Sequence, residues 1–201
     1  VEGSRSVTRG KNIVISEGTG SLLKTHCDKV WDKMLLTPTE FVHRHQDGTF
    51  YTETPTLMWQ GLHQHLQLAI SANSTLLHIM VANKISLSLN HVVRSITNYV
   101  ESMNTEDDEE LRIMECEFLC ALVNDNALHI EEVITLVESF ENDTVRDNVN
   151  ESFDSVTDQL IRCGQTCLDR LVTIILSDTE GAFSEIYSEE LWLQGNTSQV
   201  D

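Results

Sequence analysis

Proline and glycine are scarce in this sequence. Only Pro38 and Pro55 occur, and five of the nine glycines fall before residue 50, so the remainder is nearly free of helix breakers. Long apolar runs are missing too. The longest, Leu171 to Leu176 interrupted by Thr173, falls far short of the roughly 20 residues a bilayer span requires. No secretory signal opens the chain, which reads as soluble. Five cysteines, an odd number without dense spacing, exclude a disulfide scaffold and favour a reducing compartment. The N-x-S/T matches at Asn73, Asn142, Asn150 and Asn196 are read as chance. Catalytic signatures are lacking: the chain holds no HExxH, no glycine-rich phosphate loop and no nucleophile elbow.

Basic charge is missing from one half. Residues 1–100 carry nine Lys and Arg against seven acids, whereas residues 101–201 carry four against twenty-five. The second half therefore repels nucleic acid and anionic lipid, and its acidity is either plain solvation or the attraction for a basic protein partner.

What is present is helical periodicity. Residues 1–20, rich in Gly, Ser and Thr, read as a tail; 21–195 as one helical-bundle domain; and 196–201 as a tail toward a missing following domain. Leu22, Val30, Trp31 and Leu35 form a first stripe. Thr37-Pro38-Thr39-Glu40 has the form of a capping box that begins a new helical turn. His45 to Gly48 reads as a turn, and Thr54-Pro55 as a further helix start. From Pro55 to Met103 the spacing predicts a single helix of roughly 73 Å, its stripe changing register between Met80 and Ile85, so that it packs against more than one neighbour or bends near Asn83. An acidic connection, Asn104 to Glu110, follows. The third helix, about Glu109 to Phe140, shows two seams: Leu111, Met114, Phe118, Leu122, Val133, Leu136 and Phe140, and then Cys116, Cys120, Val123, Ala127, Ile130, Ile134 and Val137. Two seams imply burial on two sides. After a bend at Glu141 to Arg146, a fourth helix carries Val149, Phe153, Val156, Leu160, Cys163, Cys167, Leu171 and Ile174 and stops at Gly195. No strand pattern of comparable length exists. The expected fold is all-α, an elongated bundle of long antiparallel helices.

The cysteine pairs Cys116/Cys120 and Cys163/Cys167 repeat a four-residue step at seam positions, where small apolar side chains belong. The core reading needs no metal. The competing reading, a metal- or thiol-dependent redox protein, requires the two pairs to meet. His63 and His65 point to different sides of a helix. Asn124-Asp125-Asn126 is unusual inside a helix, and is either a solvated face, a buried hydrogen-bonding group or a partner contact.

Four stretches carry a family resemblance. DGTFYTETP (Asp47 to Pro55), LHQHLQLA (Leu62 to Ala69), EFLCALVNDNALHIEEVITL (Glu117 to Leu136) and LWLQG (Leu191 to Gly195) resemble, in order and spacing, motifs of exocyst complex component three, the Sec-six family. The resemblance runs from about Trp31 to Gly195 and implies a fragment of its central to C-terminal helical region. It further implies a non-enzymatic, cofactor-free scaffold that tethers secretory vesicles to the plasma membrane before SNARE-mediated fusion. Its partners would be other exocyst subunits and plasma-membrane SNARE proteins, and its location cytoplasmic, peripheral at secretion sites through the complex. The segment between Trp31 and Asp47 is shorter than the family's, and paralogues that remodel membrane protrusions share the patterns. Candidate partner contacts are Glu106, Asp107, Asp108, Glu109 and Glu110, with Asn124 and Asp125.

Overall fold

The longest periodic stretches form the longest helices. A computed structural model describes residues 22, 24–34, 41–71, 74–103 and 108–186. Helix α1 takes residues 24–34. A hairpin follows, β1 (Val42–Arg44) and β2 (Phe50–Thr52), then α2 (Thr54–Ser71), α3 (Thr75–Ser102), α4 (Glu109–Glu138) and α5 (Asp143–Ile186). The architecture is all-α, as the periodicity requires. The tail at 1–20, the capping box at 37–40 and the stop at Gly195 lie outside the described residues.

Helix α5 is the spine. Val149, Phe153, Val156, Leu160, Cys163, Cys167 and Ile174 are all buried along one side. They meet Leu77, Ile85, Leu89, Val92 and Ile96 of α3 and Phe118, Leu122, Val133 and Leu136 of α4 in one continuous core. Ser86 Oγ donates to the Ser152 carbonyl at 2.6 Å, joining the early part of α3 to the early part of α5. Arg170 reaching Glu115 joins the late part of α5 to the early part of α4. Thus α4 runs antiparallel to α5, and α3 parallel to it. By length and composition α3 could cross a membrane, but half of its most apolar stretch is buried in this core.

The expected single helix from Pro55 to Met103 is two helices. The chain leaves α2 at Ser71 and re-enters helix at Thr75, where Ser74 is extended (φ −127°, ψ 107°) and its Oγ accepts from Leu77 N. Ser74 serves as the cap in place of a proline or glycine, and Ser stabilises a helix start better than an interior. Within α2, Gly61 permits close approach by α1: a Cβ there would sit 2.4 Å from His26 Nε2. The His26 ring donates from Nε2 to the Leu57 carbonyl at 2.9 Å.

The hairpin is the second departure from expectation. Val42 pairs with Thr52, His43 with Tyr51 and Arg44 with Phe50. The expected turn closes it: Gly48 takes a positive φ of 93°, and Asp47 Oδ1 accepts from Thr49 N at 2.9 Å. Strands of three residues are too short to show a period. The third departure concerns α4, whose second seam is buried only in part: Val137 is in the core and Val123 and Ile130 pack against it. Ile134 is 51% exposed, Ala127 is exposed, and Cys116 and Cys120 are only half-buried. The second strip of burial instead passes through Glu115, Asp125, Asn126 and His129. Apolar periodicity alone cannot detect a core face that carries polar groups.

Candidate functional site

The middle of α4 carries a row of buried polar side chains, and each reaches toward another element. Asp125 is 5% exposed. Its Oδ1 accepts from Thr52 N at 3.0 Å and its Oδ2 from the Thr52 hydroxyl at 2.5 Å. Asn124 Nδ2 donates to the Phe50 carbonyl at 2.7 Å, so two consecutive side chains grip β2. One turn on, His129 Nδ1 accepts from Trp59 Nε1 at 2.9 Å, which leaves the imidazole proton on Nε2. His63 Nε2 lies 3.0 Å from Glu132 Oε2. A two-stranded hairpin is marginal by itself, and this row is what holds it and α2 against α4.

Burial sets the charge of these groups. It pushes the Asp125 carboxyl up to about 7, against the opposing hydrogen bonds from Thr52. It pulls His129 down to about 4, keeping the imidazole neutral. Both residues are shut away from solvent and from any substrate in this conformation. Of the three readings open for Asp125, the buried hydrogen bond is the one seen: the side chain is an internal clamp on β2. Asn124 is half-buried and already holds Phe50.

The thiols separate into two environments. Cys163 and Cys167 are fully buried on α5, while Cys116 and Cys120 on α4 are half-buried against the edge of the core. The four thiols needed by a shared metal or redox site are thus not assembled. No group of three or more His, Cys, Asp or Glu suited to a metal ion occurs among the described residues. Burial, then Asp28, pushes Cys27 up to about 12. The inner pair titrates as a unit: the Cys167–Cys163 hydrogen bond, helped by Thr97 and Asn126, lowers the Cys163 thiol, and the same bond, then burial, holds Cys167 far above the usual thiol range. Replacing Cys163 by Ser should cost about 1–3 kcal/mol, because a hydroxyl is buried there. Replacing Cys116 should change stability by less than about 0.5 kcal/mol. Urea titrations giving equal costs would contradict this division.

At the other end of α4, Arg170 Nε meets Glu115 Oε1 at 2.9 Å, with side chains 16% and 5% exposed. Burial, then Glu115, pushes the nearby Tyr99 phenol up. The pairing was absent from the sequence reading, although a charged residue at 115, three before Phe118 on the core side, was a visible signal. Of the acidic run, Glu106 and Asp107 lie outside the described residues. Asp108 caps α4, its Oδ1 accepting from Glu110 N and Leu111 N, and Glu109 and Glu110 are exposed in the first turn.

Compared with family models, the chain matches the one described as exocyst complex component Sec6 over residues 15–200. Among solved structures it superposes on the crystal structure of the C-terminal domain of the exocyst subunit Sec6p, with a TM-score of 0.74 over 96% of this chain at 14% sequence identity. The superposition covers 53% of that domain, so the chain spans about half the length of the structure it matches. At that identity the likeness is one of fold. No curated protein matches the chain in sequence.

Proposed function

The chain belongs to the exocyst complex component Sec6 family, and on that premise we propose that it is a non-enzymatic scaffold segment of the exocyst. In this reading it helps to hold secretory vesicles at the plasma membrane before SNARE-mediated fusion. The carrying observation is the family match across residues 15–200, nearly the whole chain. The interior supports it, since buried Asp125 ties α4 to β2 and the buried His129–Trp59 pair ties α4 to α2. Its partners are other exocyst subunits and plasma-membrane SNARE proteins, and its location is cytoplasmic, peripheral at secretion sites through the complex. The division into a 1–20 tail, a 21–195 bundle and a 196–201 tail belongs to the same reading. Capture of purified exocyst subunits, one at a time, on the immobilised 201-residue chain is the test. Binding to at least one is expected, and capture of none sinks the proposal.

The acidic run is the proposed contact, with its members in different roles. Asp108 serves the helix start, whereas Glu106, Asp107, Glu109 and Glu110 supply charge to a basic partner. Changing those four to Gln or Asn should slow association with the captured subunit by about tenfold and flatten its salt dependence. Thermal stability should be unchanged. Unaltered association kinetics would reduce the run to solvated cap charge. The acidic half should also fail to bind phosphatidylserine vesicles by itself, so membrane attachment is relayed through other subunits.

A further inference from the structure

Between α4 and α5, at the end where their connection lies, runs an open groove of about 540 Å³. Its floor includes Val137 and Phe153, both buried, and Ile134, which is half exposed. Glu138 of α4 and Asp154 and Asp158 of α5, the latter two one turn apart, also line it and are exposed. We propose that this groove receives a basic amphipathic helix of a protein partner. The proposal goes beyond family membership, which assigns nothing to this face.

Charge complementarity names the occupant. Between Arg112 and Arg162, Arg146 is the sole Lys or Arg among twelve Asp and Glu. Arg146 is already engaged, its Nε donating to the Phe140 carbonyl at 3.1 Å and its Nη2 lying 3.2 Å from Asp143. None of the three groove carboxylates is held in an ion pair among the described residues, and the nearest basic residue along α5, Arg162, stands one turn beyond Asp158 and outside the groove lining. Nucleic acid and anionic lipid are repelled by such a field. The apolar floor requires an apolar face on the same ligand. Two packed helices offer no unpaired backbone edge for strand addition, so a helix is the element that can present both features. Its aliphatic residues at three- and four-residue spacing meet the floor, and its flanking Lys or Arg meet the margins.

The test uses the 201-residue chain and a fluorescent Leu/Lys peptide of about 18 residues, five helical turns, with one apolar face. A peptide of the same composition without an apolar face and a Leu/Glu counterpart accompany it. The amphipathic Leu/Lys peptide should bind, and the other two should not. The triple change Glu138→Gln, Asp154→Asn, Asp158→Asn should weaken binding about tenfold and flatten its salt dependence. Ile134→Ser should weaken it without altering the salt slope. The change Asp32→Asn, Asp169→Asn, Glu180→Gln removes the same charge from exposed positions outside the groove and should leave affinity within about twofold. Equal weakening by both triples, equal binding of the peptide lacking an apolar face, or no binding at all overturns the proposal. So does a concentration-dependent dimer that Ile134→Ser abolishes. None of these results bears on subunit capture, so the two readings fail separately.

Discussion

Asp125→Ala should destabilise the protein by about 3 kcal/mol, because it strands the Thr52 amide and hydroxyl in a site where Thr52 is only 2% exposed. Asp125→Asn should behave differently, and the difference is set by pH. Because burial raises the folded carboxyl from 3.8 to about 7, the folded state binds the proton more tightly than the unfolded state. Its contribution is full below the unfolded value and is lost as pH rises through the folded one. Asparagine imitates the protonated acid at every pH. It should match the parent near pH 4 and gain on it by about 1.4 kcal/mol per unit up to pH 7. His129 works in the opposite direction: lowered from 6.5 to about 4, it contributes fully above the unfolded value and loses that contribution as pH falls toward 4. The two terms nearly cancel in the parent across that window. Urea titrations from pH 4 to 8 on the parent and Asp125→Asn should show the parent flatter. Parallel curves would show that the Asp125 carboxyl is ionised throughout.

The second large effect is at the far end of α4. Glu115→Ala should cost about 3–5 kcal/mol by leaving the Arg170 guanidinium without its carboxylate in a largely buried site. Replacing both partners, Glu115→Leu with Arg170→Met, should restore stability to the parent value or above it, since the two ions need no longer be desolvated. The contact is single: Glu115 Oε2 and Arg170 Nη2 have no hydrogen-bonding protein partner. Thermal denaturation of the single and double variants measures the coupling directly. A double variant no more stable than Glu115→Ala would mean that side-chain packing at this end, and not the charge pair, sets the cost.

The long helices were readable because a four-three apolar rhythm survives over many turns, as from Val149 to Ile174 on α5. The break before Ser74 was not, because it rests on cap formers in place of proline or glycine. The hairpin escaped because three-residue strands carry no period, even though its Asp47-Gly48 turn was plain. On α4 the two apolar seams looked equivalent. What separated them was polar: Glu115, Asp125 and His129 face inward, while Ala127 and Ile134 face out. Asp125 stood out as an unusual helix residue, yet its partner lies 73 positions away and one sequence does not reveal such a distance. The acidity of the second half was legible at once, and the groove that three of its carboxylates line was not.

That separation of 73 residues between Thr52 and Asp125 also sets an order in time. Closing so long a loop costs chain entropy that only later contacts offset, whereas α4 and α5 are neighbours in sequence and meet across a short connection. The α4–α5 pair therefore assembles first, and the hairpin docks onto a face that already exists. Weakening the Thr52 clamp should accordingly speed unfolding and leave the folding rate nearly unchanged, which stopped-flow kinetics of Asp125→Ala would check.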